Sequence, residues 1–233
     1  MSELLVQKRW PSQHPDRIQL YTFPTPNGIK VSVALEELGL PYEAHSIHII
    51  KGDQHTKEYL TISPNGKIPT LLDPNGPEGK PIALMESVAI LHYLAEKIGK
   101  LIPSDPASKN EALQWLLFQV GHIGPMFGQF GHFHKLAGEK CDHPYPLERY
   151  KNETRRLLGV LEKRLSNREF ILDSGFSMVD IAIFPWVEIL QGYYDAREVI
   201  GLADFPRVEA WLATCMSRPS YKVGSKVGYP SQI

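Results

Sequence analysis

Apolar and polar residues alternate from Ile18 to Thr22, a period of two that predicts a short strand. In Phe23-Pro24-Thr25-Pro26-Asn27-Gly28, two prolines within three residues end that strand. Pro26 suits the first position of a helix, with Thr25 as its N-cap. From Ile29 to Leu38 the pairs Ile29/Val33, Val31/Leu35 and Ala34/Leu38 stand four apart, and Gly39 follows as a C-terminal stop. Apolar residues on most faces predict a helix buried against a sheet. Tyr42 to Ile50, rich in β-branched and aromatic residues, predicts a second strand and completes a βαβ unit.

Lys51 to Leu60 reads as a polar loop entering a short helix, and Ser63-Pro64-Asn65-Gly66 as a turn. The apolar stretches 68–72 and 81–85 flank Asp73-Pro74-Asn75-Gly76-Pro77 and predict an antiparallel hairpin. Ser87 opens a helix marked by Val88, Leu91, Leu94 and Ile98. Beyond Pro106 the pattern is helical throughout. Tyr150, Thr154, Leu157, Leu158, Leu161 and Leu165 share one face of a long helix. Ser177 and Asp180 have capping-box spacing, and Phe205 to Arg218 is a last helix stopped by Pro219. The expected organisation is an extended arm over 1–16, an α/β domain over 17–98, a linker over 99–106 and an all-helical domain over 107–233.

Composition narrows the function classes. Lys plus Arg total 25 and Asp plus Glu 26, a net charge of −1, which argues against nucleic-acid binding through bulk electrostatics. A hydrophobic share of 42% argues against disorder. Cys141 and Cys215 form no C-x-x-C and cannot make a disulfide framework, so a reducing, cytoplasmic location is expected. Met1 to Arg17 has no apolar core of a secretory signal. The apolar run Ile181 to Val187 is too short for a bilayer and contains Pro185, so no membrane association is expected. No P-loop or dinucleotide glycine fingerprint occurs. His132, His134, Cys141 and His143 match no closed zinc spacing, so no metal is expected.

Three motifs stand in order at set spacing: Asn65-Gly66-Lys67-Ile68-Pro69-Thr70, Glu86-Ser87-Val88-Ala89-Ile90 and Ser177-Met178-Val179-Asp180-Ile181-Ala182. With the element order β-α-β-α-β-β-α followed by helices, they make residues 17–225 similar to the cytosolic glutathione transferases. Thr25-Pro26-Asn27-Gly28, Lys51-Gly52-Asp53-Gln54-His55, Glu148-Arg149-Tyr150 and Phe184-Pro185-Trp186-Val187 resemble the bacterial nu-class branch, whose members reduce disulfide bonds with glutathione. The resemblance implies a thioredoxin-like α/β domain joined to an all-α bundle, glutathione as co-substrate without a metal, and a homodimer. It implies glutathione disulfide and a small disulfide or electrophile as further partners, in the cytoplasm.

The chemistry turns on the glutathione thiol. The thiolate is the nucleophile, and a free thiol with a pKa near ~8.5 is only a few per cent ionised at neutral pH. Lowering that value by about two units takes roughly 2.7 kcal/mol of anion stabilisation. A helix N-terminus offers N–H groups and a partial positive charge. The resemblance makes Thr25 and Asn27 the catalytic pair there, with Thr25 accepting a capping bond while donating its hydroxyl. On the residues alone, Thr25 reads as a cap and Asn27 as a turn residue. The resemblance also has Glu86 hold the ammonium of the γ-glutamyl end and Ser87 its carboxylate. By the same resemblance, Ile68 stands before a cis-proline and pairs its backbone with the cysteinyl residue. It likewise implies that Gln54 and Lys67 bind the glycyl end and that Arg149 reaches the tripeptide from the second domain. As isolated polar residues, Gln54 and Lys67 read equally as solvated surface, and Arg149 as an ion-pair partner of Glu153. Tyr21 sits inside its strand and reads as core or interface. Glycines at 121, 124, 128 and 131 interleave with Met126, Phe127, Phe130, His132, Phe133 and His134, which fits close helix packing and an acceptor pocket equally.

The leading expectation is a glutathione-dependent disulfide-bond reductase. A transferase conjugating glutathione to electrophiles, or a peroxidase, shares the thiol site. A non-enzymatic regulator on the same fold is the third reading.

Overall fold

A computed structural model describes residues 4–229. A short helix, α1 (Leu5–Arg9), precedes strand β1 (Ile18–Thr22), helix α2 (Pro26–Leu38), strand β2 (Tyr42–Ser46), helix α3 (Lys57–Leu60), strands β3 (Thr70–Asp73) and β4 (Ile82–Met85), and helix α4 (Ser87–Ile98). The strands form one sheet in the order β2-β1-β3-β4. β1 and β2 are parallel, Leu20 opposite Ala44, which requires the α2 crossover. β3 is antiparallel to β1 and to β4, with Leu71 opposite Leu20 and Leu84. This is the thioredoxin-like arrangement.

β1 is buried along its whole length, so both its faces are covered. Tyr21 points into a cluster with Val6, Ile47, Tyr59, Ile62 and Leu72. The first turn of α2 sits hard against the end of β1. A Cβ at Gly28 would stand 2.1 Å from the Phe23 carbonyl oxygen and 2.5 Å from Thr22 Oγ1, so only glycine fits. Asp73, at the end of β3, accepts from Tyr93 Oη and Lys97 Nζ, each at 2.7 Å. These bonds tie α4, and hence Ser87 at its start, to the sheet.

Contacts gather the described chain into two units, one spanning 4–98 and 219–229, the other Gly99–Arg218. The second unit carries α5 (Pro106–Phe118), α6 (Gly124–Gly131), α7 (Pro144–Arg164), α8 (Met178–Gln191), α9 (Arg197–Ile200) and α10 (Pro206–Ser217). π-helical turns at Gln119–Ile123 and His132–Leu136 flank α6. Two glycines of this stretch, Gly124 and Gly131, serve close packing, whereas a Cβ at Gly121 would meet nothing within 4 Å. Cβ atoms at Gly124 and Gly128 would lie 3.6 Å from the Trp186 ring, and one at Gly131 would overlap the Tyr194 ring. α8 opens with the expected capping box. Asp180 is fully buried and accepts from Ser177 N, Ser177 Oγ, Ile171 N and Trp211 Nε1 at 2.9–3.0 Å.

Three boundaries differ from the expectation. The arm is not extended throughout: α1 buries Val6 in the sheet's core, and Trp10 packs edge-on against Tyr59. The second strand ends at Ser46, and Ile50 is exposed on a tight turn. The expected linker 99–106 lies within the helical unit, while residues 219–229 fall with the first unit. There α11 (Pro219–Gly224) packs on α2. Ser32 Oγ donates to the Gly224 carbonyl at 2.7 Å, and a Cβ at Gly224 would stand 2.8 Å from Val33 N. A polar tail thus anchors through backbone approach, which hydrophobic periodicity does not register.

Candidate functional site

A cleft of about 190 Å³ opens in the α/β unit, lined by Asn27, Ser63, Asn65, Lys67, Ile68, Pro69, Met85, Glu86 and Ser87. Three local structures meet in it. The first is the opening of α2. Pro26 has no N–H, and Ile29 N bonds to the Thr25 carbonyl at 2.9 Å, so Asn27 and Gly28 lie ahead of the helix's own hydrogen-bond ladder. Thr25 is the N-cap, but its side chain makes no capping bond, contrary to the expectation. It stands outside the cleft's lining.

The second is the turn before β3. Ser63 Oγ and Tyr59 Oη both donate to the Lys67 carbonyl, at 2.8 and 3.0 Å, and Ser63 Oγ accepts from Lys67 N at 3.2 Å. The Ile68–Pro69 peptide is cis. These bonds hold the Lys67 backbone, and so deliver the main chain of Ile68 to the cleft. The third is the junction of β4 and α4. Glu86 has φ of 69°, in the left-handed region that a non-glycine residue enters at a cost of about 1–2 kcal/mol. Ser87 follows, buried, at the start of α4.

Beneath these groups lies Lys30, which sequence reasoning missed. It is 1% exposed, and its Nζ donates to Asn27 Oδ1 at 2.8 Å and to Ser87 Oγ at 3.3 Å. Burial pulls its ammonium down to about 7, while the Glu86 carboxylate acts in the opposite direction. The available signal was a lone lysine among the mostly apolar residues Ile29 to Leu35.

Asn27, Lys67, Ile68, Glu86 and Ser87 are therefore brought together, whereas Thr25, Gln54 and Arg149 are not among the lining residues. Gln54 Nε2 donates to the Ile49 carbonyl at 3.1 Å, and its Oε1 is buried without a partner among the described residues. Arg149 is exposed on α7 and lines a cavity of about 650 Å³ within the helical unit, with Met126, Tyr145, Glu148, Asn152, Glu153 and Arg156. Glu153 is paired there with Arg156 at 2.7 Å rather than with Arg149. Tyr21 is buried and stacked on His45, and burial pushes its phenol far up, as a core residue requires. Cys141 and Cys215 are unpaired and belong to the helical unit, so the α/β cleft contains no protein thiol.

The cleft thus offers donors at a helix opening, an exposed carboxylate and the main chain of Ile68, a combination that suits a small zwitterionic peptide. The glutathione S-transferase N-terminal domain family matches residues 25–97, and the corresponding C-terminal domain family matches 125–219. Disulfide-bond oxidoreductase YfcG of Escherichia coli (strain K12) is 43% identical over 204 residues, covering 87% of this chain and 92% of that protein. Disulfide-bond oxidoreductase YghU of the same organism is 38% identical over 220 residues, covering 91% and 74%. A glutathione transferase family member from Pseudomonas fluorescens pf-5, crystallised with two glutathione bound, superimposes with a TM-score of 0.95 at 51% identity over 97% of this chain and 100% of that one. A glutathione transferase from Pseudomonas putida, with one glutathione disulfide bound per subunit, gives 0.95 at 49% over 98% and 99%. The chain belongs to the glutathione S-transferase family.

Proposed function

We propose that the protein is a glutathione-dependent disulfide-bond reductase whose nucleophile is the thiolate of glutathione held in the α/β cleft. The observation that carries this is the meeting of Asn27, Ile68, Glu86 and Ser87 around one cleft that has no cysteine of its own. The attacking sulfur must then come from the ligand. The names of the two Escherichia coli relatives support the reaction class, and the glutathione and glutathione disulfide in the Pseudomonas structures support the ligand.

A volume of 190 Å³ is below the ~300–1,000 Å³ usual for a whole small-molecule ligand, so the cleft takes one end of the tripeptide and leaves the thiol accessible. Glu86 pairs with the γ-glutamyl ammonium. Ser87 and the α4 N-terminus receive its carboxylate. The Ile68 main chain pairs with the cysteinyl residue as an added strand. Asn27 and the opening of α2 stabilise the thiolate. Thr25 donates to the sulfur with its hydroxyl, the role left to a cap that caps nothing. Lys67 and Gln54 serve the glycyl end, and Arg149 the exposed side of the bound tripeptide.

The thiolate attacks one sulfur of the disulfide, forming a mixed disulfide with glutathione and releasing the other sulfur as a thiolate, which is protonated. A second glutathione thiolate attacks the glutathione sulfur of that mixed disulfide, giving glutathione disulfide and the second free thiol. Two glutathione molecules are oxidised as one disulfide is reduced. The chain is assigned to the nu-class, to the cytoplasm and to a homodimer. The unpaired cysteines support a reducing compartment. Exposed Leu113, Leu117 and Val120, along α5 and the turn after it, support a subunit contact.

The test is a paired assay with excess glutathione, a small organic disulfide in one cuvette and chlorodinitrobenzene in the other. Fast formation of glutathione disulfide with weak conjugation is expected. Dominant conjugation would make the protein a conjugating transferase, and two flat traces would favour a regulatory role.

A further inference from the structure

Lys30 is, among the described residues, the only lysine or arginine that the fold buries. An ammonium removed from water costs several kcal/mol unless it is well paired, so an apolar side chain would suit this position better if packing were its whole purpose. Two of its partners are the informative feature. Asn27 and Ser87 come from different elements, α2 and α4, and both line the cleft, whereas Lys30 does not.

An ammonium has three donors and no acceptor, so it sets the polarity of whatever it touches. The Asn27 amide must turn its oxygen toward Lys30, which leaves the N–H₂ end as the end the amide offers elsewhere. Ser87 Oγ accepts from Lys30 and so keeps its own proton to donate. We propose that Lys30 is the positioning residue of the cleft: its buried ammonium occupies the acceptor sides of Asn27 and Ser87, turning both into donors toward the thiolate and the γ-glutamyl carboxylate of glutathione. The inference rests on the glutathione reading above. The charge adds a second effect, since a fixed cation in a water-poor site stabilises an anion more than it would in solution. A bound anion in turn acts on Lys30 in the same direction as Glu86 and holds it protonated.

A purely structural Lys30, tying α2 to α4, would influence stability without touching the ionisation of bound glutathione. The experiment separates the two. Wild-type protein, Lys30→Met and Lys30→Gln are titrated with glutathione, followed by the ultraviolet absorbance of the thiolate, and with S-methylglutathione, followed by calorimetry. Folding is checked by circular dichroism. Wild type is expected to bind both ligands and to show the thiolate band at neutral pH. Lys30→Met should keep S-methylglutathione affinity within about tenfold, lose the thiolate band, and fall about 100-fold in kcat, as for removal of one preorganised donor. Lys30→Gln, which retains a donor without the charge, should fall between. A folded variant of either kind with an unchanged thiolate band and kcat overturns the proposal. Nitrogen NMR of labelled lysine in the wild-type protein tests it without any variant: Lys30 that stays neutral when glutathione binds also overturns it. Failure of the wild type to bind either ligand would overturn the glutathione reading itself, and the inference with it.

Discussion

Helices α2 and α8 each begin at a hydroxyl N-cap, each bury an ionisable side chain in their opening turns, and yet end up doing different work. At α8 the sequence closes its own helix end. Ser177 Oγ accepts from Val179 N at 3.2 Å, and Asp180 takes donors from Ser177, Ile171 and Trp211. Burial pushes the Asp180 carboxyl up, and those donors oppose it. These partners are internal, and neither Ser177 nor Asp180 lines the α/β cleft or the cavity beside Arg149. At α2 the cap side chain makes no capping bond, and two partners of the buried Lys30, Asn27 and Ser87, line a cleft. A helix opening whose polar groups are all satisfied within the fold holds structure together. One whose polar groups are aimed at a cleft is arranged for a ligand.

The sharpest way to break this contrast is Asp180→Ala. It leaves two backbone N–H groups, the Trp211 indole and Ser177 without their acceptor, and stability should fall by about 3–5 kcal/mol in a urea titration. A loss below about 1 kcal/mol would mean that the α8 cap is not the structural one.

Lys30→Met probes the other buried charge through pH. The unfolded chain holds the lysine proton up to about 10.5 and the folded chain releases it near about 7, so the unfolded state binds more protons in that window. Wild-type stability should therefore rise relative to the Met variant as pH increases from about 7, by up to ~1.4 kcal/mol per pH unit. Parallel stability profiles for the two proteins would show that Lys30 has an ordinary solvated charge.

Asn27→Ala should cost about 100-fold in kcat/KM for disulfide reduction, ~2.7 kcal/mol, against about 1 kcal/mol or less in stability. Equal losses in both would make Asn27 a structural residue like Asp180. Glu86→Ala should weaken glutathione binding about tenfold with little change in kcat, because the γ-glutamyl end lies away from the reacting sulfur. Unchanged affinity in a calorimetric titration would remove Glu86 from the site.

The α8 cap was readable from Ser177 and Asp180 because both partners of a capping box lie within one turn. The bounds of β1 and α4 followed from period-two and helical spacing in the same way. Asn27, Glu86 and Ser87 were legible through local motifs, but their convergence was not, since it depends on the approach of α2 and α4. Lys30 was invisible because a pattern of apolar positions treats one polar residue as an interruption, and one of its partners, Ser87, comes from another element 57 residues away. Arg149 and Gln54 show the reverse: each was named by its motif, and their placement outside the cleft's lining depends on tertiary structure. Segments α1 and α11 escaped because each is too short to show a period, and one buried Val6 or one close approach at Gly224 anchors it.

The smallest effect is the most discriminating. A hydroxyl N-cap replaced by alanine ordinarily costs about 1 kcal/mol, because the side-chain oxygen serves an orphan N–H of the first turn. Thr25 serves none, and Ile29 N already bonds to the Thr25 backbone carbonyl, which alanine retains. Thr25→Ala should therefore shift stability by less than about 0.5 kcal/mol, while lowering reductase turnover if its hydroxyl is one of the thiolate's donors. Thr25→Ser, keeping the hydroxyl, should restore turnover and leave stability alone. Should Thr25→Ala instead destabilise the fold by a full capping increment, the opening of α2 would be closed by its own sequence as α8 is. A stable variant with reduced turnover would mean that the cap position has been given over to the ligand.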